Sequence, residues 1–299
     1  FCGYLTTEAK AQRAQQDAGG KGINVASCMA DYGVKVAVTG QLGRENSALF
    51  ESLFDDKGIN NLCLYLDGHT RVNTKVVDPG NRQTTDINLP GTHLSAEQIE
   101  AQIGRLMAVL NALSHTARWV VLSGSLPPGW PTDTYATLTR HVHAFGGKVM
   151  LDTSGQPFAE ALKASPDIVK PNRDELAEHL GRPLQNVDEV VEAARSLLKE
   201  CHSMDLVAVS MGSDGAVFVS PSSAIIAHPL EVDLISSVGA GDAMVAGIVA
   251  AHLDALPLNE CAQLATAFAA GKLSRLGPHL PEQDVVQALA KKVRLTHLG

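Results

Sequence analysis

The stretch Ser237-Val238-Gly239-Ala240-Gly241-Asp242-Ala243-Met244 follows an apolar run and opens a long helical pattern of small and apolar residues. Glycines at a helix start let backbone N–H groups converge on an anion, and the helix dipole favours negative charge there. A carboxylate at Asp242 would repel a resting phosphate. Beside an attacking hydroxyl, however, it can accept the proton while the neighbouring amides stabilise transferred charge.

Other interpretations of this stretch are possible. Asp242 can simply cap the helix, as Asp often does. Gly239-Ala240-Gly241 also begins a G-x-G-x-x-G pattern, which would indicate a dehydrogenase. Met244 stands at the third glycine position, where close strand–helix packing needs Gly or Ala, so we reject that reading. No G-x-x-x-x-G-K-[ST] string occurs either, which excludes a Walker A loop.

Outward from this stretch, strand-like runs alternate with helical patterns along most of the chain. Strand-like runs cover 34–38, 119–122, 148–151 and 205–210, and helical patterns cover 46–57, 95–113, 134–145, 187–200, 241–252 and 258–275. This alternation predicts βαβ units and a mostly parallel sheet with helices on both faces. Such sheets bind ligands beyond the carboxyl ends of their strands.

One region, Leu64 to Leu89, breaks this order with period-2 alternation and no helical pattern. The turn Asp78-Pro79-Gly80-Asn81 divides it and predicts a β-hairpin. The hairpin is either a small lid over the site or an ordinary edge hairpin. Arg71 and Lys75 fall on one face of its first strand, where they form a solvated charged face or a compact site for a substrate phosphate.

Near the amino end, residues 19–26 read Gly-Gly-Lys-Gly-Ile-Asn-Val-Ala. The glycines allow close backbone approach to a ligand, and Gly19 and Gly20 are the first of them. Lys21 adds a positive charge, and Asn24 can both donate to and accept from sugar hydroxyls. The alternative is a glycine-rich cap for a helix over 24–32.

Two further strings follow predicted strands. In Lys170-Pro171-Asn172-Arg173-Asp174-Glu175, Asn172 and Glu175 are suited to a hydrated Mg²⁺, or else to capping a helix. Residues 210–216, Ser-Met-Gly-Ser-Asp-Gly-Ala, form either a plain turn or a backbone platform for nucleotide phosphates. The chemistry-bearing members of that platform are Ser210, Gly212, Ser213 and Gly215.

The composition narrows the class of protein. The formal charge of −8 gives a nucleic-acid or anionic-membrane partner no bulk electrostatic support. No apolar run reaches the ~18 residues that cross a bilayer. The five cysteines are dispersed without a C-x-x-C pair, and the eleven histidines show no metal spacing. We therefore expect a cytoplasmic protein of a reducing compartment.

Five strings together resemble the PfkB (ribokinase-like) carbohydrate kinase family, and they occur in that family's order along nearly the whole chain. They are 19–26, 123–129 (Ser-Gly-Ser-Leu-Pro-Pro-Gly), 170–175, 210–215 and 238–242. The resemblance implies a three-layer α/β/α sandwich with a β-lid that often serves as a dimer clasp, and Mg-ATP as phosphoryl donor. It also implies one kinase domain over 1–299, with lid segments at about 1–18 and 64–91 and a nucleotide-binding half at about 150–299.

The resemblance also implies roles for individual residues. Asp242 would be the catalytic base, and Gly239, Ala240 and Gly241 the anion hole. The residues that the resemblance implies for binding the sugar phosphate are Gly19, Gly20, Lys21, Asn24, Arg71 and Ser125, with Lys75 as a second lid cation. The residues that it implies for binding ATP are Lys170, Asn172, Ser210, Gly212, Ser213 and Gly215, with Glu175 beside Mg²⁺.

Within the family, residues 71–75 and 85–91 look most like the members that phosphorylate fructose 1-phosphate to fructose 1,6-bisphosphate. Kinases of tagatose 6-phosphate and of fructose 6-phosphate are the near alternatives, and a non-catalytic sugar-binding regulator on the same fold is a third. The family pattern begins with a strand that ends in Asn-Pro-x-x-Asp, and no such string precedes Gly19. We expect that strand to lie upstream of Phe1 in the full protein.

Overall fold

A computed structural model describes residues 16–78, 83–201, 203–233, 235, 238–275 and 277–298. The helices in this part of the chain are α1 (Lys21–Asp31), α2 (Ala48–Lys57), α3 (Ala96–Leu113), α4 (Thr134–Ala144), α5 (Gly155–Leu162), α6 (Arg173–Leu180), α7 (Val187–Glu200), α8 (Ala240–Leu253), α9 (Leu258–Leu273) and α10 (Gln283–Ala290). The strands are β1 (Ala37–Val38), β2 (Gln41–Gly43), β3 (Asn60–Asn61), β4 (Leu64–Leu66), β5 (Asn73–Asp78), β6 (Gln83–Asn88), β7 (Trp119–Ser123), β8 (Lys148–Asp152), β9 (Ile168–Val169), β10 (Leu206–Ser210), β11 (Ala216–Val219), β12 (Ala224–Ala227) and β13 (Leu295–Leu298).

The largest sheet among the described residues has seven strands in the order β13-β12-β11-β10-β9-β8-β7. The four strands from β7 to β10 are parallel, and the pairings from β10 to β13 are antiparallel. The prediction of a mostly parallel sheet was therefore wrong for half of it. Only five residues, 211–215, join β10 to β11, and that is too short for the crossover that parallel strands require.

Helices cover both faces of this sheet, because successive strand residues point to opposite sides. On one face, Met150, Leu206 and Phe218 pack with residues of α1, α8, α9 and α10. On the other face, Leu151 and Val207 pack with residues of α3, α4, α5, α6 and α7. The ribokinase-like three-layer α/β/α sandwich is thus confirmed.

A smaller cluster of buried residues joins α1 and α2 to β1 and β2, with Phe50 and Phe54 among its members. β1 pairs with β3 and β2 with β4, each in parallel. The predicted strand over 34–38 is reduced to the two residues of β1. The helical predictions came closer, and α7 has the predicted bounds of 187–200.

The predicted hairpin consists of β5 and β6, and within the described part of the chain these strands pair only with each other. Its register places Thr74 opposite Ile87 and Val76 opposite Thr85. Val76 is 40% exposed and Ile87 43%, so one face of the ribbon presents apolar side chains to solvent. Residues 79–81 of the predicted turn and residues 1–15 of the first predicted lid segment lie outside the described residues.

Close packing between α8 and α9 fixes the direction of α8. A Cβ on Gly247 would stand 2.7 Å from the Cα of Ala265, so only glycine lets the two helices approach this closely. The helix α8 therefore runs through the core, with Ala243, Val245 and Ala246 completely buried. Its amino end emerges beside the carboxyl ends of the parallel strands.

Two of the composition-based expectations concern features that the structure describes. None of the described helices is long and apolar enough to span a bilayer. Cys28, Cys63, Cys201 and Cys261 are free thiols. The remaining cysteine, Cys2, lies outside the described residues.

Candidate active site

A cavity of about 670 Å³ lies where the parallel strands end. Ten of the predicted site residues line it: Lys21, Lys170, Asn172, Glu175, Ser210, Gly212, Gly239, Ala240, Gly241 and Asp242. Asp152, Arg173, Asp174, Met211 and Asp214 complete the lining. The cavity therefore joins the amino end of α1, the carboxyl ends of β8 to β10 and the amino end of α8. This is where open α/β sheets bind their ligands.

A buried carboxylate in the cavity wall joins two lysines. The side chain of Asp152 is 1% exposed, and its two oxygens lie 3.2 Å from the ammonium groups of Lys21 and Lys170. Burial lowers the pKa of Lys21, but Asp152 and then Glu175 outweigh burial, so the net pKa is raised. Lys21 is thereby held as a cation beside the cavity, and the same carboxylate holds the side chain of Lys170 in place.

Asp242 lies in the first turn of α8 and is 7% exposed. The amide nitrogen Nδ2 of Asn24 donates to its Oδ2 at 2.7 Å, across 218 residues of sequence. The pKa of Asp242 is raised, mainly by burial and to a smaller extent by the nearby charge of Asp152. The hydrogen bond from Asn24 and the positive charges of Lys21 and Lys170 act in the opposite direction. The carboxyl is thus a stronger base than an ordinary aspartate, and two nearby ammonium groups favour its ionised form.

The turn before α8 requires glycine. Gly239 is the residue before the helix, and its φ of 80° lies in the left-handed region. A Cβ there would stand 3.3 Å from Cε of Lys272 and 3.6 Å from Nδ2 of Asn24. A Cβ on Gly241 would be 3.6 Å from the ammonium nitrogen of Lys170. The backbone at this helix start can therefore approach an anion closely, with a cation alongside.

The start of α6 forms another wall of the cavity. Asn172 and Glu175 form a reciprocal capping box: Oδ1 of Asn172 accepts from the backbone N–H of Glu175, and Oε2 of Glu175 accepts from that of Asn172, both at 2.8 Å. The capping interpretation from the sequence is therefore correct. It is compatible with ligand binding, since both residues also line the cavity.

The turn between β10 and β11 faces α6. Asn172 and Ser210 form a parallel bridge, and a short 3₁₀ turn follows at Gly212–Asp214, which includes Ser213. Arg173 of α6 forms an ion pair with Asp214 across the cleft. Position 215 requires glycine for a structural reason, because a Cβ there would stand only 2.3 Å from the carbonyl oxygen of Ala227.

Of the residues predicted for the sugar side, Lys21 and Asp242 line the cavity, whereas Gly19, Gly20, Asn24, Arg71 and Ser125 do not. Gly19 and Gly20 precede α1, and Gly20 is its capping residue with a φ of 130°. The guanidinium Nη2 of Arg71 is 3.4 Å from the hydroxyl of Ser125. Lys75 lies in β5 opposite Asp86, and its side chain is outside what the structure describes.

Sequence reasoning missed Asp152, Arg173 and Asp214. Asp152 ends β8 and pairs with Ser123, the last residue of β7. A polar residue directly after an apolar strand run was the available signal, because strand ends are where open sheets bind ligands. Arg173 and Asp214 lie within strings that were already recognised, but only the fold shows that their side chains meet.

The fold and the cavity define a class: a carbohydrate kinase with a ribokinase-like core. The sequence profile of the pfkB family carbohydrate kinases matches residues 4–284. The chain belongs to this family.

Relatives in the family are similar over nearly the full length. The chain is 47% identical over 282 residues to a 1-phosphofructokinase of Rhodobacter capsulatus, covering 94% of this chain and 88% of the relative. It is 46% identical over 269 residues to a 1-phosphofructokinase of Xanthomonas campestris pv. campestris, covering 88% and 83%. The crystal structure of phosphofructokinase-2 from Escherichia coli in complex with potassium matches with a TM-score of 0.86 at 25% identity, covering 97% of this chain and 92% of that one.

We expect the substitution Asp242→Asn to stabilise the folded protein. The pKa of Asp242 is raised on folding, so its stabilising contribution is present at low pH and is lost as pH rises through the folded pKa. At pH 7 the buried charge therefore costs stability, which a neutral amide of the same shape avoids. Thermal unfolding should give a higher Tm for the variant at pH 7, with the difference shrinking towards pH 4.

Asp56→Asn is the control, since Asp56 is an exposed carboxylate of α2. It should leave Tm close to that of the unmodified protein at both pH values. A lower Tm for Asp242→Asn at pH 7 would contradict the prediction and make the ionised carboxylate a net structural contributor.

Proposed function

We propose that this chain transfers the γ-phosphoryl group of ATP to fructose 1-phosphate and so makes fructose 1,6-bisphosphate. The whole chain would act as one kinase domain, with the strand ends from β8 onward serving the nucleotide and the hairpin β5–β6 serving the sugar. The similar proteins named 1-phosphofructokinase support this choice of substrate. The free thiols and the need for ATP favour a cytoplasmic site of action.

The observation that carries the proposal is the position of Asp242. Its carboxylate is buried in the first turn of α8, directly after the left-handed Gly239, and lines the cavity. A protein that only binds a sugar gains nothing from a buried carboxylate in an anion-binding turn. A kinase does, because the acceptor hydroxyl must lose a proton as the phosphoryl group arrives. This argues against the non-catalytic regulator.

Different residues of the cavity have different roles in the proposed phosphoryl transfer. Asp242 accepts the proton of the attacking hydroxyl, and the hydrogen bond from Asn24 holds its carboxylate in place. The backbone N–H groups of residues 239–241, with the dipole of α8, stabilise the charge on the phosphoryl oxygens. Lys21 and Lys170 neutralise phosphates on either side of that point, and Asp152 keeps both ammonium groups in position.

The charges of the cavity favour a divalent cation. Five carboxylates line it (Asp152, Asp174, Glu175, Asp214 and Asp242), against three cations (Lys21, Lys170 and Arg173). A polyanionic nucleotide would meet net repulsion unless a metal ion accompanies it. Among the described residues, no group of three or more metal-ligating side chains could hold an ion by itself. Mg²⁺ fits this set, because it binds through one or two carboxylates plus nucleotide phosphates, where it neutralises developing charge.

A coupled ADP-release assay tests the function. We expect kcat/KM to be highest with fructose 1-phosphate, lower with fructose 6-phosphate and tagatose 6-phosphate, and very low with free fructose or ribose. Asp242→Asn should lower kcat by at least ~10²-fold while the Kd for ATP changes little, since the carboxylate acts on the acceptor. Retention of more than about a tenth of the original kcat would reduce Asp242 to a helix cap.

Arg71 is the proposed anchor for the phosphate already on the sugar. It is exposed, yet its guanidinium lies 3.4 Å from Ser125, and a Cβ on the neighbouring Gly124 would stand 3.8 Å from Cβ of Lys21. Ionic hydrogen bonds to phosphate contribute roughly 1.5–3 kcal/mol each. Arg71→Ala should therefore raise KM for fructose 1-phosphate at least about tenfold and leave KM for ATP near its original value.

Arg140→Ala is the matched control, because Arg140 is an exposed arginine of α4 away from the cavity. It should leave both KM values unchanged. Equal increases in both KM values for Arg71→Ala, or none, would remove Arg71 from the sugar-phosphate site.

The metal proposal has its own test. Activity should require Mg²⁺ or Mn²⁺ and disappear in excess chelator, because the acidic cavity cannot neutralise ATP by itself. Glu175→Gln keeps the size of the side chain and an oxygen that can accept in the capping box, but loses the charge. It should shift the Mg²⁺ titration to higher concentration. An unchanged titration would leave Glu175 with its capping role alone.

We also propose that the hairpin β5–β6 forms a homodimer. Val76 and Ile87 on its exposed face are accompanied by Val72 (44% exposed) and Leu89 (49%) at its ends. A two-stranded ribbon with an apolar face is marginal alone, and a second copy of the same ribbon would bury that face symmetrically.

Light scattering should give a dimer for the unmodified chain at micromolar concentration and a monomer for Ile87→Asp. Burying an unpaired carboxylate in the interface is costly, which is the reason for the expected dissociation. Val285→Asp changes an equally exposed valine on α10 and should remain dimeric. A dimer that persists in Ile87→Asp would place the interface elsewhere.

A further inference from the structure

Lys272 is a buried lysine that none of the roles above uses. It belongs to the last turn of α9 and is only 3% exposed. Its ammonium group donates to the carbonyl oxygen of Arg275 at 3.3 Å. It does not line the cavity, but its Cε lies 3.3 Å from where a Cβ on Gly239 would stand. The lysine therefore sits directly behind the glycine turn of the anion hole.

Burial destabilises the charged form of Lys272. Burial lowers its pKa, and the carboxylates of Asp17 and Asp242 act against this. Burial also raises the pKa of Cys28 to about 12, so that thiol is neutral and provides no counter-charge. An uncharged residue of the same length would fill this space at lower cost. A buried cation retained at such a position calls for a functional reason.

The carboxyl end of α9 is hydrogen-bonded to the segment that precedes the glycine turn. The backbone N–H of Ile235 donates to the carbonyl oxygen of Leu273 at 2.8 Å. The side chains of Lys272, Asn24 and Asp242 all lie within 4 Å of where a Cβ on Gly239 would stand. Removing Lys272 would thus take away both a packing partner and a fixed positive charge behind the backbone that faces the phosphoryl group.

We propose that Lys272 is a positioning residue for phosphoryl transfer, which acts through Gly239 by holding the anion-hole turn in place and adding a fixed positive charge behind it. This proposal rests on the proposed function of the cavity. Lys21 and Lys170 line the cavity and meet bound phosphates directly. Lys272 does not line the cavity, and the glycine turn lies between them. Its positive charge therefore acts through the amides of that turn, and these amides are proposed to contact the phosphoryl group during its transfer.

The test compares Lys272→Met, which keeps the length and removes the charge, with Lys163→Met, a control at an exposed lysine of 66% side-chain exposure. For Lys272→Met we expect kcat to fall at least about tenfold, less than the ~10²–10³-fold cost of losing a direct anion-hole donor. KM for ATP and for fructose 1-phosphate should change less than about threefold. Lys163→Met should change none of these values.

A binding measurement separates the charge effect from a general weakening of the site. ADP with Mg²⁺, aluminium fluoride and fructose 1-phosphate mimics the transferred phosphoryl group. Its affinity for Lys272→Met should fall by about the same factor as kcat, while the Kd for ATP stays near its original value. Equal losses for the mimic and for ATP, or no loss of kcat, would overturn the proposal.

Stability provides the remaining control. Lys272→Met should fold with a Tm at least equal to that of the unmodified protein, since it removes a buried charge. Failure of both Lys272→Met and Lys272→Gln to fold would show a structural role and overturn the proposal. If the unmodified protein phosphorylates no sugar phosphate, the proposed function itself fails. If it is active and Lys272→Met matches it, only this inference fails.

Discussion

The carboxylate of Asp152 lies 3.2 Å from two ammonium groups, and its side chain is almost fully buried at the end of β8. A buried charge is stable only when it is paired, so the two lysines must remain where Asp152 holds them. One of them begins α1 and the other follows β9, and both line the cavity. One carboxylate therefore sets the separation between the cation proposed for the sugar side and the cation proposed for the nucleotide side.

The sheet brings the other groups to this point. The strands from β7 to β10 are parallel, so their carboxyl ends lie at one edge, and α8 begins there because close packing through Gly247 directs it across the core. The amino end of α8 then brings Gly239, Ala240, Gly241 and Asp242 to the same cavity. The cation–carboxylate network and the helix dipole thus act at one place, where a low local dielectric makes each charge more effective.

The distribution of charge accounts for the chemistry that the site supports. The cavity carries more carboxylates than cations, although a nucleotide and a sugar phosphate are both anions. The metal ion proposed above would relieve this repulsion, and the glycine turn is the proposed binding place for the transferred phosphoryl group. Asp242 gains basicity from burial and keeps its charge through Asn24 and the lysines. The exposed apolar face of the hairpin contributes no residue to the lining of this cavity and is suited to association between copies of the chain.

The sequence by itself determined the local features of this protein: the bounds of α7, the hairpin, the glycine turn with Asp242, and the five strings that indicated the family. These depend on periodicity and on residues close together in the chain, where short-range sterics decide the conformation. Only the tertiary structure decided that the sheet becomes antiparallel after β10, that Asp152 joins Lys21 to Lys170, and that Lys272 lies behind Gly239. Each of these depends on contacts between segments brought together by packing, as with Asn24 and Asp242, which are 218 residues apart. Periodicity carries no information about which strand ends become neighbours, and the burial that changes the pKa of Asp242 exists only once the layers have packed.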